Sequence, residues 1–229
     1  MNKKRLFLIL VLILFSSNIY AKDYHIDNLG LDIDIDYNNV ITRDNYLDSD
    51  LSVTNYNNKY SYYQYMNDNY VYLETYNNNI NFMIRAIENP GIEDFTLERD
   101  VTDDVVSLSK KVNESTYSLL ELDEFKLIRF VYKDNTNNIY FDEYFLSWKD
   151  VFYTFTFKSN NEFSSTDITN CDNIMKTLKL TGNGKVIKSN IYKDGIDNKS
   201  DDYNTLNTCI SISIILIIIA LIIRKIRFK

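Results

Sequence analysis

The feature that most constrains this chain of 229 residues is an uncharged, largely apolar run near its C-terminal end. Residues 206–223 contain no Asp, Glu, Lys or Arg, and four basic residues follow within residues 224–229. A helix needs about 20 such residues to cross a hydrocarbon core of roughly 30 Å, and polar flanks can supply the remainder. The run therefore predicts a single transmembrane helix over residues 206–223, followed by a basic cytoplasmic tail over residues 224–229.

The N-terminal end has the organisation of a secretory signal peptide. Three basic residues lie within residues 1–5, and residues 6–15 are all apolar. A polar stretch then ends at Ala21, a small residue suited to cleavage. We expect residues 1–21 to be removed. The alternative is an uncleaved N-terminal anchor, although ten apolar residues are short for a membrane span.

The distribution of charge predicts the orientation in the membrane. Residues 22–206 carry 18 Lys and Arg against 32 Asp and Glu, a net charge of −14, whereas both ends are positive. Positive flanks are retained in the cytoplasm, so a type I, single-pass cell-membrane protein is predicted, with the bulk of the chain extracytoplasmic. The acidic balance argues against a nucleic-acid partner. One His and two Cys leave little material for a metal site, and neither Cys171 nor Cys209 has an evident intrachain partner.

Alternation of apolar and polar residues predicts strands between the two ends. Leu31, Ile33 and Ile35 alternate with aspartates, and a turn at Asn38-Asn39 leads into a strand over residues 40–42. Residues 71–76 and 80–87 flank an Asn-rich turn as a hairpin. Three consecutive strands are predicted over residues 125–133, 139–148 and 151–158, the last two joined by a tight turn at Lys149-Asp150.

Helical periodicity predicts helices over residues 57–67, 102–114 and 165–178. Helices that flank a mainly antiparallel sheet indicate an α+β layered domain. Beyond Leu180 the apolar density falls, which is typical of a solvated stalk. The predicted organisation is a signal peptide (1–21), an extracytoplasmic α+β domain (22–180), a flexible stalk (181–205), a transmembrane helix (206–223) and a tail (224–229).

The order of elements in the second half of the domain resembles that of a known family. A strand over residues 124–132 is followed by Tyr140-Phe141-Asp142-Glu143-Tyr144-Phe145, by Tyr153-Thr154-Phe155-Thr156-Phe157, by a Ser-led helix and by an ending over residues 174–180. This order is similar to the PsbP-like family, an α/β/α sandwich, over residues 25–180. The resemblance implies a binding or assembly domain in a membrane-anchored bacterial protein, and it carries over no catalytic residue.

Acidic side chains and the single histidine offer candidate sites without a complete motif. His25 lies alone near the predicted cleavage point and is expected at the surface. Asp32, Asp34 and Asp36 have the spacing of Ca²⁺ ligands, but the Gly and Glu of an EF-type loop are missing, so a solvent-facing side of a strand is expected. Glycoside hydrolysis needs two carboxylates held across a pocket, and the spacing in this sequence selects no such pair. The candidate carboxylates are Glu121, Asp123, Glu124, Asp142 and Glu143.

The most suggestive surface is a group of tyrosines between residues 56 and 72. Tyrosine supplies rigid, amphipathic contact area and is enriched at interfaces. Tyr60 and Tyr63 are expected to face inward from the predicted helix. The alternative is that the tyrosine content reflects the codon bias of a low-GC microbe. The tyrosines predicted to form an exposed binding surface are Tyr62, Tyr65, Tyr70 and Tyr72.

The sequence as a whole predicts a membrane-tethered, extracytoplasmic, non-catalytic binding domain. No nucleophile elbow, zincin motif or Gly-rich phosphate loop is present, so no catalytic, metal or cofactor-binding residue is assigned and no cofactor is expected. The expected partner, besides the membrane, is an envelope or surface protein. Two alternatives stay open: a cell-surface hydrolase or metal-dependent enzyme on the same sandwich, and a structural protein that maintains the envelope.

Overall fold

The computed structural model describes residues 22–77, 79–89 and 91–181. The predicted signal peptide, transmembrane helix and tail, Cys209, and the predicted stalk beyond Thr181 lie outside these residues. Within the described ranges, no helix has the length and apolar composition that a membrane span requires. The structure thus describes almost all of the predicted α+β domain.

Ten strands lie in the described part of the chain, and three of them were not predicted. The three unpredicted strands are the short ones at the two ends of the domain and the one that follows the second helix. The alternation pattern did not reveal them. The strands are β1 (Lys22–Ile26), β2 (Leu31–Ile35), β3 (Val40–Thr42), β4 (Val71–Thr75), β5 (Ile80–Glu88), β6 (Tyr117–Glu121), β7 (Lys126–Asp134), β8 (Ile139–Trp148), β9 (Val151–Ser159) and β10 (Lys179–Leu180).

Seven strands form one antiparallel sheet in the order β3-β4-β5-β9-β8-β7-β6. The predicted three-strand block over β7, β8 and β9 is confirmed. The turn between β8 and β9 is formed by Lys149 and Asp150, whose φ angles are 49° and 62°. Two consecutive residues with left-handed backbone suit a turn whose twist matches that of the flanking strands, so the predicted tight turn is also confirmed. The remaining strands form a separate sheet in the order β1-β2-β10.

Three α-helices lie in the described residues, each within a few residues of its prediction: α1 (Lys59–Asp68), α2 (Thr102–Val112) and α3 (Ser165–Met175). Helix α3 begins with a capping box, in which the Ser164 hydroxyl accepts from the Asp167 N–H and the Asp167 carboxylate accepts from the Ser164 N–H. This reciprocal pair satisfies two backbone donors at the helix start. The serine that leads into this helix in the sequence is therefore its N-terminal cap.

The helices lie on opposite faces of the seven-stranded sheet. We call the side that carries Glu143 and Thr156 the front face and the side that carries Asp142 and Phe157 the back face, because these residues pair in register across β8 and β9. Helix α2 is on the front, with Lys111 Nζ 6.0 Å from the ring centroid of Phe145. Helix α1 is also on the front, where Tyr65 bonds to Glu74.

Helix α3 covers the back face together with the smaller sheet. The Tyr144 hydroxyl donates to Asp172 of α3 at 2.8 Å, and the Asp34 N–H of β2 donates to the Thr177 hydroxyl at 2.9 Å. The core between these layers includes Phe82 and Phe157, which are stacked with their ring centroids 4.4 Å apart. The fold is an α+β domain with antiparallel sheet and helices on both faces, as predicted.

Candidate functional site

The tyrosine surface differs from its prediction. Tyr62 and Tyr72 are fully buried, and Tyr65 is partly buried. Tyr60, which was expected to face inward, is 52% exposed. The predicted faces of α1 are therefore wrong for Tyr60 and Tyr62. Tyr63, which was also expected to face inward, is partly buried and stacks on Tyr46 with the ring centroids 5.7 Å apart. Of the four tyrosines predicted to bind, only Tyr70 is exposed, and its binding role stays a prediction.

The buried tyrosines form part of a stack beside the front face. The Tyr56 ring lies 4.9 Å from Tyr65 and 5.3 Å from Tyr62, centroid to centroid. Met66 is buried one turn after Tyr62, so the inward side of α1 follows an i, i+4 spacing. Because these rings contact one another within the domain, they help to pack α1 against the sheet.

The candidate residues near the N-terminal edge form a small surface cluster. His25 Nε2 lies 3.0 Å from Asp27, and His25 Nδ1 contacts Asp32. The hydrogen bond with Asp32 raises the pKa of His25. Asp34 lies on the outward side of β2, and Asp36 follows the end of that strand and is exposed, as the alternation predicted. Within the residues described, no group of three or more His, Cys, Asp or Glu is placed to hold a metal ion.

The other acidic candidates are divided between separate places. Asp142 and Glu143 are adjacent in β8 and therefore point to opposite faces of the sheet. Glu121, Asp123 and Glu124 line a pocket of about 460 Å³ together with two lysines of the segment around α3's end and β10. The structure thus brings Glu121, Asp123 and Glu124 to one pocket and separates them from Asp142 and Glu143.

Asp142 belongs to a buried ion-pair cluster on the back face. Arg129 Nε and Nη2 each donate to Asp142 at 2.7 Å, and Arg129 Nη1 lies 3.1 Å from Asp172. Burial raises the pKa of Asp142, and the Arg129 guanidinium opposes this rise. Burial also raises the pKa of the neighbouring Cys171, a free thiol in the described part of the chain. The Arg129 donors all face carboxylates of the protein, and the contact with Asp172 joins α3 to the sheet. Arg129 therefore has a structural role.

The front face carries a half-open cleft of about 270 Å³, which we call the Arg85 cleft. Its floor is formed by side chains of β4, β5, β8 and β9, and the turn between β7 and β8 forms one wall. Most of the lining side chains are polar or charged, and four apolar ones lie among them. The lining includes Glu74, Arg85, Phe141, Glu143, Thr156 and Lys158.

The two carboxylates of the Arg85 cleft are already bonded to hydroxyl groups of the protein. Glu143 is 5% exposed and accepts from the Thr156 and Tyr132 hydroxyls, each at 2.8 Å. Glu74 accepts from the Tyr76 hydroxyl at 2.9 Å. Burial raises the pKa of Glu74, and bonds from tyrosine hydroxyls oppose this rise. These oxygens therefore serve the internal structure of the cleft.

The two cations of the cleft are bonded much less completely. Arg85 Nη2 lies 3.4 Å from a Glu143 oxygen and 3.5 Å from the Thr156 hydroxyl, at the long limit of hydrogen bonding. Arg85 Nε is buried without a hydrogen-bond partner, while 42% of the side chain is exposed. The Lys158 side chain is exposed, and its charge helps to oppose the rise in the pKa of Glu74. What the cleft offers to a ligand is thus a pair of cationic donors.

Sequence reasoning did not identify Arg85, Tyr132 or Thr156 as site residues. One signal was available, because Arg85 is the only charged residue within residues 80–87. A strand with a single arginine among apolar side chains often turns that arginine toward a carboxylate or a ligand. Its partner Glu143, however, is 58 positions away in the sequence, and only the strand order reveals the pairing.

No protein-family model matches this chain. No curated protein matches it either. Among solved structures, it is similar to the solution structure of cyanobacterial PsbP (CyanoP) from Synechocystis sp. PCC 6803, with 12% identity and a TM-score of 0.46 over 72% of this chain and 95% of that one. It is also similar to a crystal structure from Bacteroides thetaiotaomicron, with 10% identity and a TM-score of 0.41 over 72% of this chain and 50% of that one. Both are likenesses in fold at low sequence identity.

Proposed function

We propose that this chain is a membrane-tethered binding protein, whose α+β domain lies outside the cytoplasm and holds a ligand in the Arg85 cleft without transforming it. The observation that carries this proposal is the under-bonded Arg85 in a half-open cleft. A guanidinium that finds only long contacts inside the protein gains hydrogen bonds when an acceptor enters. A non-catalytic role is supported by the carboxylates of the cleft, whose oxygens are held by internal hydroxyl donors.

The membrane tether in this proposal comes from the two ends of the sequence. We propose a cleaved signal peptide over residues 1–21, a transmembrane helix over residues 206–223 and a cytoplasmic tail over residues 224–229. The support is the charge pattern, in which positive ends flank a middle of net charge −14. An envelope or surface protein would then be in reach as the source or recipient of the ligand.

Protease added to intact cells or protoplasts tests this topology. The chain carries an epitope tag after Lys229, so that the fragment left in the membrane can be detected. We expect loss of the full-length band and a short tagged C-terminal fragment, because only residues beyond the transmembrane helix are shielded. The same digestion after detergent lysis is the control and should remove the tag as well. A domain that stays fully protected in intact cells would exclude the proposed orientation.

A further inference from the structure

We infer that the ligand of the Arg85 cleft is a small organic oxyanion, a carboxylate or a phosphate monoester, whose charged group contacts Arg85 and Lys158. This inference rests on the proposed function and names the chemical class that the site would take. Its basis is a contrast between the buried arginine of the back face and the half-buried arginine of the front face.

The two arginines differ in how well the protein satisfies them. Arg129 makes two bonds of 2.7 Å to Asp142, the length expected of a charge-assisted pair. Arg85 faces a carboxylate as well, but its contact with Glu143 is 3.4 Å. The two carboxylate oxygens of Glu143 accept hydrogen bonds of 2.8 Å from the Thr156 and Tyr132 hydroxyls. Glu143 therefore pairs with Arg85 only at this longer distance. The Nε of Arg85 has no hydrogen-bond partner, so the guanidinium keeps donor capacity for an acceptor from outside.

The rest of the lining indicates the size and body of the ligand. A cleft of about 270 Å³ lies just below the range of roughly 300–1,000 Å³ found for sites of small molecules. Phe141 is half-buried and stacks on Tyr132 with the ring centroids 5.2 Å apart. Met83 and Ile139 add apolar surface beside it. A compact ligand with one apolar or aromatic part and one oxyanion fits this division.

The acidity of the domain does not oppose such a ligand at close range. Exposed charges further away than about 10 Å are largely screened at moderate ionic strength. Within the cleft, the carboxylates of Glu74 and Glu143 are buried, and Asp134 at the wall is bonded to Asn137 of its own turn at 2.7 Å. The cationic groups that an entering ligand can reach are Arg85 and Lys158. Binding is therefore governed by local donors, even though the domain as a whole is negative.

Isothermal titration calorimetry of the full chain in detergent micelles tests the inference with three probes of similar shape: benzoate, phenyl phosphate and benzyl alcohol. We expect at least one of the two oxyanions to bind and benzyl alcohol to bind at least tenfold more weakly. Arg85→Gln should raise the dissociation constant of the bound oxyanion about tenfold or more, the scale of one charge-assisted bond. Lys158→Gln should raise it by a smaller factor.

Lys133→Gln is the matched control, since it removes the same charge from an exposed position of β7 outside the cleft. It should leave the dissociation constant within about twofold. If Arg85→Gln fails to fold, Arg85→Lys provides the test, because it keeps the charge and loses the planar fork. Equal binding of benzyl alcohol and benzoate that Arg85→Gln weakens would overturn the oxyanion as the ligand class and keep the cleft as the binding site. Equal binding that Arg85→Gln leaves unchanged would overturn both. If no probe binds, both the ligand class and the cleft as the binding site are wrong.

Discussion

Replacing Asp142 with alanine is expected to lower the free energy of unfolding by about 3–5 kcal/mol, because a buried guanidinium would lose its main counter-charge. Asp142 is fully buried and accepts two 2.7 Å bonds from Arg129. The only carboxylate left near Arg129 in the described cluster would be Asp172, whose side chain is 27% exposed. Chemical denaturation of the domain over residues 22–181, monitored by circular dichroism, measures this loss.

A second variant separates the loss of the pair from the loss of one partner. When Arg129→Met and Asp142→Leu are combined, no unpaired charge is left in the core, and most of the stability should return. Asp134→Ala is the surface control and should change the free energy of unfolding far less, since that carboxylate bonds only within its own turn. A loss below about 1 kcal/mol for Asp142→Ala would show that the buried Arg129 does not depend on Asp142 as its counter-charge.

Tyr62→Ala is expected to lower the free energy of unfolding by about 3 kcal/mol or more, as large aromatic deletions in a core do. The Tyr62 ring is fully buried and contacts Tyr56 and Tyr65 at centroid distances of 5.3 and 5.9 Å. Its removal leaves a cavity between α1 and the front face. The measurement is again denaturant unfolding, with far-ultraviolet circular dichroism as the signal.

Tyr60→Ala is the matched control on the same helix. Tyr60 is 52% exposed, and its hydroxyl bonds only to Gln64 within α1 in the described structure. Its loss should change the stability by less than about 0.5 kcal/mol. The opposite order, with Tyr60→Ala the more damaging change, would mean that α1 presents the face that the sequence analysis predicted.

The tyrosine error has a physical cause. Residues 60–65 read Tyr-Ser-Tyr-Tyr-Gln-Tyr, so tyrosines occupy both sides of any helix drawn through them. A helical period can choose an inward face only when polar and apolar residues differ between the faces. The identity of the inward face is then set by neighbours that the sequence does not reveal, namely Tyr56 and the strand that carries Glu74.

The central strands were predictable because their alternation is strong. In β5 the residues Ile80, Phe82, Ile84 and Ala86 are all buried, with less buried residues between them. The unpredicted β6 shows the opposite case, since Tyr117 and Leu119 are apolar yet 47% and 42% exposed at the edge of the sheet. An edge strand has one neighbour and less burial, so its pattern carries less information.

The Arg85 cleft could not be predicted from the sequence, because its residues come from four strands. Glu74, Arg85, Glu143 and Thr156 share the front face only as a result of the strand order β4-β5-β9-β8. That order places β9 between β5 and β8, against the order of the chain. Alternation predicts which neighbours along its own strand share a face with each of these side chains. It does not predict that all four side chains lie on the same face of the sheet.

A map of amide chemical shifts tests whether the Arg85 cleft is the ligand site. The full chain in detergent micelles is titrated with the tighter-binding of benzoate and phenyl phosphate and followed by two-dimensional NMR. We expect the largest shifts on Arg85, Glu143, Thr156 and Lys158, and we expect these shifts to saturate together with one dissociation constant. Shifts that centre on the pocket beside Glu121 and Lys179, or on the exposed Tyr70, would contradict it.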